Sequence, residues 1–310
     1  MTISETQSRR PPAALTLLLA AAALAFSACN PGAEEAKSLR AACEEGDPSA
    51  CNQFGDKLLT GNYVLRDRPR AAGLFRRACD GSIAESCTRL GTMHQNGTGV
   101  DRDTTLATTL YGRACEGGDM DGCTRLGRLH RDRVDDARDA TRAAELFRRA
   151  CEGGGMEGCA HLGALYLTGD GVPQDFARAA ELSEQACNGD VLSGCVQLGS
   201  LYAAGTGVDR DDERAAILFQ QSCDGDEDDG CFRLGQLSAS GQGVAQDFER
   251  AAELYREACN SRHGEACYQL GQLYQSGTGV PRQPGRAVGY ISRACNYGYQ
   301  LACPEEESGS

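Results

Sequence analysis

The sequence predicts an all-α solenoid of helical hairpins over residues 38–303, and three observations lead to it. Sixteen of the 17 cysteines form Cys-x₇-Cys pairs that recur every 36 residues without insertion or deletion. Between successive pairs, apolar residues recur at helical spacing in two blocks separated by glycines. One small residue returns at a fixed place in each block. A fixed period of roughly 20–50 residues marks a repeat array. An array extends over a chain of 310 residues more readily than a single core does.

At the amino terminus, Arg9 and Arg10 precede an apolar stretch from Ala13 to Phe26. It is short for a membrane-spanning helix and suits the apolar region of an export signal. The stretch ends Leu24-Ala25-Phe26-Ser27-Ala28-Cys29. Residues 1–28 therefore read as a signal peptide and residues 29–37, with Pro31, Gly32, Glu34 and Glu35, as a short polar tether. Small residues just before a cysteine resemble the lipobox of bacterial lipoproteins, with Phe26 where Leu is usual. That resemblance implies lipid on Cys29, and Asn30 after it is similar to an outer-membrane sorting pattern. Without residues 1–28, which hold two Arg and one Glu, the charge of −13 becomes near −14.

The repeat is clearest from Cys195 to Cys223. Leu198, Leu201 and Tyr202 predict a first helix, helix A. Gly205 and Gly207 break it, and Val208 seals the turn. After Asp209-Arg210-Asp211, whose carboxylates suit a helix N-terminus, Ala215, Ala216, Leu218 and Phe219 predict helix B. Gly55, Gly91, Gly127, Gly163, Gly199, Gly235 and Gly271 stand four residues after the second cysteine of each pair. Glycine costs about 1 kcal/mol against alanine in a helix, so seven in register predict close approach between helices. Ala71, Ala107, Ala143, Ala179, Ala215, Ala251 and Ala287 hold the matching place in helix B.

Seven full repeats follow, flanked by half units: Ser38–Cys43 reads as an isolated helix B, and the lattice ends at Cys303. Repeat 1 has Gly61-Asn62-Tyr63-Val64 and lacks the second loop glycine. Repeat 3 reads His130-Arg131-Asp132-Arg133-Val134-Asp135-Asp136-Ala137 through the place where Gly-x-Gly-Val is expected. Residues 304–310 form an acidic tail.

The pattern Cys-x-x-Leu-Gly-x-Leu-Tyr-x-x-Gly-x-Gly-Val, followed by Ala-Ala-x-Leu-(Phe/Tyr)-x-x-Ala-Cys, resembles the Sel-1-like repeat, a relative of the tetratricopeptide repeat. The paired cysteines make it similar to the Helicobacter cysteine-rich protein family, secreted arrays of disulfide-bridged units. The resemblance implies a right-handed superhelix with an extended concave binding face, and a monomer. Relatives of that kind often carry a penicillin-binding or β-lactamase label, which implies cell-wall fragments or β-lactams as the alternative ligand class.

The cysteine pairs are Cys43/Cys51, Cys79/Cys87, Cys115/Cys123, Cys151/Cys159, Cys187/Cys195, Cys223/Cys231, Cys259/Cys267 and Cys295/Cys303. Links of the type 51–79 would leave Cys43 and Cys303 unmatched, whereas bonds across each x₇ turn use all sixteen. Each closes a short loop worth roughly 2.6 kcal/mol in the chain-entropy model. Such bonds need an oxidising compartment. Zinc is the alternative, but the spacing is wide for a finger and no histidine accompanies each pair.

Signs of catalysis are sparse. His94 and His130 share one repeat position, occupied by Leu58, Tyr166, Tyr202, Ser238 and Tyr274 elsewhere, and read as helix-face residues. A serine β-lactamase needs Ser-x-x-Lys, and Glu34 and Phe54 precede the only lysines, Lys37 and Lys57. Asp224 to Gly230 is similar to a calcium loop, but the glycine falls one place late and Gly235 stands where Glu is needed. No cofactor, metal or enzymatic activity is expected. The acidic balance argues against nucleic acid, and the membrane is expected to be met through lipid alone.

A surface remains. Two residues after each second cysteine stand Arg89, Arg125, His161, Gln197, Arg233 and Gln269. With Arg128 and Arg131 these place positive charge on helix A in an acidic chain, so the expected partner is a protein or peptide with carboxylates on the concave face. The expected role is a lipid-anchored scaffold or adaptor in the cell envelope.

Overall fold

The computed structural model of the protein describes residues 31–132 and 137–303. The proposed signal peptide, Cys29, the tail 304–310 and residues 133–136 of the third loop lie outside the described residues. Fifteen α-helices are described: α1 Pro31–Glu44, α2 Pro48–Thr60, α3 Arg68–Asp80, α4 Ala84–Asn96, α5 Thr104–Glu116, α6 Met120–Arg131, α7 Ala137–Glu152, α8 Met156–Thr168, α9 Phe176–Asn188, α10 Leu192–Ala204, α11 Asp212–Asp224, α12 Asp228–Ser240, α13 Phe248–Asn260, α14 Gly264–Ser276 and α15 Pro284–Asn296. A 3₁₀ turn, Gln300–Ala302, follows. The even-numbered helices α2 to α14 are the A helices of repeats 1–7, and α3 to α15 are their B helices. The chain is therefore an all-α solenoid of seven helical hairpins. Packing divides it into two bodies between Gly117 and Gly118. The first holds α1 to α5 and the second α6 to α15.

Local chemistry sets the helix ends. The predicted aspartate caps are present on helix B: Asp67, Asp103, Asp175, Asp211 and Asp247 each accept a hydrogen bond from the backbone N–H three residues on, at 2.9–3.0 Å. Helix A ends at the first loop glycine, as at Gly97 (φ 69°) and Gly205 (φ 65°), where an L side chain is disfavoured.

Packing between A and B explains the helix glycines. A Cβ on Gly91 would lie 2.8 Å from the Tyr111 ring, and one on Gly235 would lie 2.7 Å from the Tyr255 ring. What comes close is therefore an aromatic side chain twenty positions on, rather than the partner backbone. At repeat 4 the ring is replaced by Ser183, and the contact at Gly163 relaxes to 3.2 Å. Ala71, Ala107, Ala143, Ala179, Ala215 and Ala251 are fully buried beside these rings.

Disulfides join the end of one helix B to the start of the next helix A: Cys43–Cys51, Cys79–Cys87, Cys151–Cys159, Cys187–Cys195, Cys223–Cys231 and Cys259–Cys267, with Cys295–Cys303 closing the last turn. They follow the predicted x₇ connectivity, with Cα atoms 4.5–4.8 Å apart. The remaining predicted pair, Cys115 and Cys123, spans the division between the bodies. Arginines tie neighbouring turns: Arg77 donates to the Cys43 carbonyl (2.6 Å), Arg113 to that of Cys79 (3.1 Å) and Arg293 to that of Cys259 (3.3 Å). Cysteines held this way suit an oxidising, extracytoplasmic compartment.

These bridges, read from the sequence as disulfides, lie within the packing of the array. The second cysteine of a pair opens helix A on its inward face. Cys51 is 1% exposed, Cys87 3%, Cys159 1% and Cys267 0%. Cys51 and Cys87 pack in the apolar core of the first body with Phe54 and Leu90. Cys159 packs with Phe147 and Leu162, and Cys267 with Tyr255 and Leu270. These four are thus core residues, closed to any ligand or partner, and their contribution is to stability. The reason is that a short bridge between two helix ends draws both sulfurs into the seam where the helices meet, and a disulfide packs there as an apolar group.

One boundary also differs from the expectation. Residues 31–37, read as tether, are the first turns of α1. Pro31 opens the helix, where its fixed φ is pre-organised and its missing N–H costs nothing. Ala36 is buried, Lys37 pairs with Glu34 at 2.7 Å, and Glu35 reaches Lys57 of α2 at 2.9 Å. The half unit at the amino terminus is thus longer than Ser38–Cys43. Among the described residues, no helix is long and apolar enough to cross a membrane.

Candidate functional site

The charged positions of helix A fall on both bodies. In the first, Arg89 of α4 pairs with Asp56 of α2 and with Glu85 one turn back (2.5 Å), and its guanidinium lies 5.8 Å from the centre of the Phe75 ring. It is half-buried and ties two A helices together.

In the second body, Arg125, Arg128 and Arg131 lie three residues apart along α6, on one stripe. Arg125 pairs with Asp121 at 2.9 Å, and Arg131 with Asp132 at 3.0 Å. Arg128 is exposed and has no carboxylate partner among the described residues. The next repeat places His161 of α8 against this stripe. Its ring lies 4.9 Å from Phe147. Burial, and then the charges of Arg131 and Arg128, hold its pKa down to about 4. His161 is therefore neutral near pH 7, and the charge of the patch belongs to the arginines. Thus Arg128, Arg131 and His161, chosen separately from the sequence, meet in one place.

Arg233 is elsewhere on the same face. It lines an open cleft of about 450 Å³ between α10 and α12, with Ser200, Ala204, Gln236 and Ser240. The sequence reading did not select those neighbours, although Gln236 lies one period after Ser200 and Ser240 one period after Ala204. It also missed Asp56, whose pairing with Arg89 crosses 33 residues.

The remaining histidines have structural partners. His94 is buried, and its Nδ1 lies 3.2 Å from the Asp101 carbonyl. His130 Nδ1 lies 2.7 Å from the Asp139 carboxylate. His263 caps α14: its Nδ1 accepts from the Ala266 N–H (3.1 Å), which leaves the proton on Nε2 for Asp229 (3.0 Å). That hydrogen bond holds the Asp229 carboxyl below the usual range, outweighing burial. Asp229 thus serves the turn that is similar to a calcium loop as a hydrogen-bonded side chain. Cys223, Cys231 and Glu257 lie within 4.8 Å of one another, but the two sulfurs are joined as a disulfide and hold no thiolate for a metal.

The comparisons agree with this architecture. The Sel1 repeat model matches residues 48–82, 84–119, 121–155, 157–191, 192–227, 228–263 and 264–299. Among solved structures, the chain is similar to a protective antigen of uropathogenic Escherichia coli displaying an SLR fold. The identity is 26%, the TM-score 0.71, and the match covers 86% of this chain and 57% of that one. The chain thus spans little more than half the length of that protein. A Sel1 repeat protein from Oxalobacter formigenes matches at 22% identity and TM-score 0.67, over 86% of this chain and 77% of that one. Cysteine rich protein B of Helicobacter pylori matches at 27% identity and TM-score 0.35, over 43% of this chain and 96% of that one. No curated protein matches the chain.

Proposed function

This chain belongs to the Sel1 repeat family, and from that premise we propose that it is an exported, non-enzymatic scaffold that binds an acidic protein or peptide on its helix-A face. Lipid on Cys29 holds it to the bacterial envelope in this reading, at the outer membrane by the Asn30 pattern. Solenoids bind partners along extended faces built from successive repeats. The observation that carries the reading is the stripe on α6: an exposed Arg128 without a carboxylate partner among the described residues, beside Arg131 and a neutral His161, in a chain of net charge −13. A guanidinium offers paired N–H donors that fit a carboxylate.

The test is capture from envelope extract by wild type and by Arg128→Ala/Arg131→Ala, at low and raised salt. The expected result is a partner that the wild type retains and the double variant loses, with retention falling as salt screens the charges. Equal capture by both proteins, or retention indifferent to salt, overturns the assignment of this face. Muropeptide and penicillin binding measured alongside tests the alternative, a cell-wall-fragment module.

A further inference from the structure

In the last repeat, two guanidinium groups converge on one neutral oxygen. Arg256 of α13 donates from Nη2 to the Tyr274 hydroxyl at 3.3 Å, and Arg286 of α15 donates from Nη1 to the same hydroxyl at 3.5 Å. Tyr274 of α14 is buried between them, 3% exposed. Its ring stacks on Tyr290, with centres 5.5 Å apart and planes 8° from parallel, and Arg286 lies 5.7 Å over it. Burial alone would raise the Tyr274 pKa, but the two arginines outweigh it and bring it below the ordinary value.

In repeats 3–6 the first-turn arginine of helix B is neutralised. Arg142 pairs with Glu145, Arg178 with Glu181 and Arg250 with Glu253, each three residues on, at 2.8–3.3 Å. Arg214 has Ile217 at that place and pairs instead with its capping aspartate, Asp211, at 3.1 Å. Repeat 7 closes both routes. Gly289 stands where the glutamate would be, and Gln283 stands where the aspartate would be. Among the described residues, neither Arg256 nor Arg286 has a carboxylate partner.

Each guanidinium carries five N–H donors; Arg256 is also hydrogen-bonded to Tyr290, and the two phenol oxygens still leave most of the donors unused. Two cations held at one point repel each other, and an anion between them removes that cost while accepting their free donors. We propose that Arg256 and Arg286 form a binding site for an oxyanion, the carboxylate or phosphate group of a small ligand or side chain, seated over the Tyr274–Tyr290 pair. The site lies on α13, α14 and α15, apart from the α6 stripe, and does not depend on it.

Calorimetric titration of the full chain with glutarate, and separately with inorganic phosphate, at constant ionic strength tests this. Millimolar or tighter binding is expected for wild type. Gly289→Glu supplies the carboxylate that repeats 3, 4 and 6 carry at this place, and a Cβ there meets nothing within 4 Å. It should weaken binding at least tenfold with helicity and melting retained. Arg286→Gln should do the same, whereas Arg178→Ala, at the same place in repeat 4 where it pairs with Glu181, should leave the affinity unchanged. Binding of both probes assigns a general oxyanion site. Glutarate alone assigns a carboxylate source, and phosphate alone a phosphate source. No binding of either probe, wild-type affinity in Gly289→Glu, or equal loss in Arg178→Ala overturns the proposal.

Discussion

Gly32 and Tyr63 have exchanged the roles that the other repeats assign to their positions. In repeats 2 and 4–7 the second loop glycine packs on the residue 31 places earlier, at the start of the preceding helix B. A Cβ on Gly99, Gly171, Gly207, Gly243 or Gly279 would lie 2.1–2.5 Å from Arg68, Ala140, Phe176, Asp212 or Phe248. In repeat 1 the loop residue is Tyr63, which keeps the left-handed backbone (φ 60°), and the glycine has moved to the helix as Gly32. A Cβ on Gly32 would lie 2.3 Å from Cδ2 of the Tyr63 ring. Lys57 lies 5.7 Å from the centre of the same ring.

Gly32→Ala should therefore destabilise the first body by about 1–3 kcal/mol, the range for overpacking. In a Tyr63→Gly background the same change should cost less than about 1 kcal/mol, because the loop then matches the other repeats. Urea melts of the four proteins check the coupling, and additive effects would refute it.

Non-reducing digestion followed by mass spectrometry should return cysteine links eight residues apart. Cys259→Ser/Cys267→Ser removes a fully buried bridge and should cost about 2–3 kcal/mol by the loop-entropy account. A predominance of links such as 51–79 would contradict the connectivity.

His161 gives the protein an acid sensitivity. Its folded pKa of about 4 lies below the ordinary 6.5, so the unfolded chain binds a proton that the folded chain refuses. Stability is complete above 6.5 and declines as the pH falls toward 4. Allowing for solvent screening, the loss near pH 4.5 is on the order of 1 kcal/mol. His161→Gln should flatten that part of the profile in thermal melts, and an unchanged slope would place the sensitivity elsewhere.

For the proposed anchor, wild type expressed in bacteria should partition into the detergent phase. Cys29→Ser should accumulate as an unlipidated precursor. An aqueous wild-type protein with a free Cys29 thiol would remove the anchor from the functional reading.

The features legible in the sequence are those set within one repeat. Aspartate caps, loop glycines and x₇ cysteine pairs act over fewer than about ten residues, so a 36-residue period exposes them without coordinates. That Cys51, Cys87, Cys159 and Cys267 sit in the core was not legible, because spacing names a bond and not the side of the helix that is covered. The positions of the helix-A arginines followed from the same register. Their electrostatic state did not, because charges pair through space. Arg89 is neutralised by Asp56 on another helix, Arg128 is left without a carboxylate among the described residues, and His161 loses its proton to burial beside Arg131. The first turns of α1 were hidden for a related reason: a short polar segment reads as a tether until Ala36 and Glu35 find α2. Likewise Gly289 and Gln283 become informative only when Tyr274 brings Arg256 and Arg286 together. Hydrogen bonds and caps are local and repeat with the chain, whereas desolvation and ion pairing depend on which helices meet, and only the tertiary structure decides that.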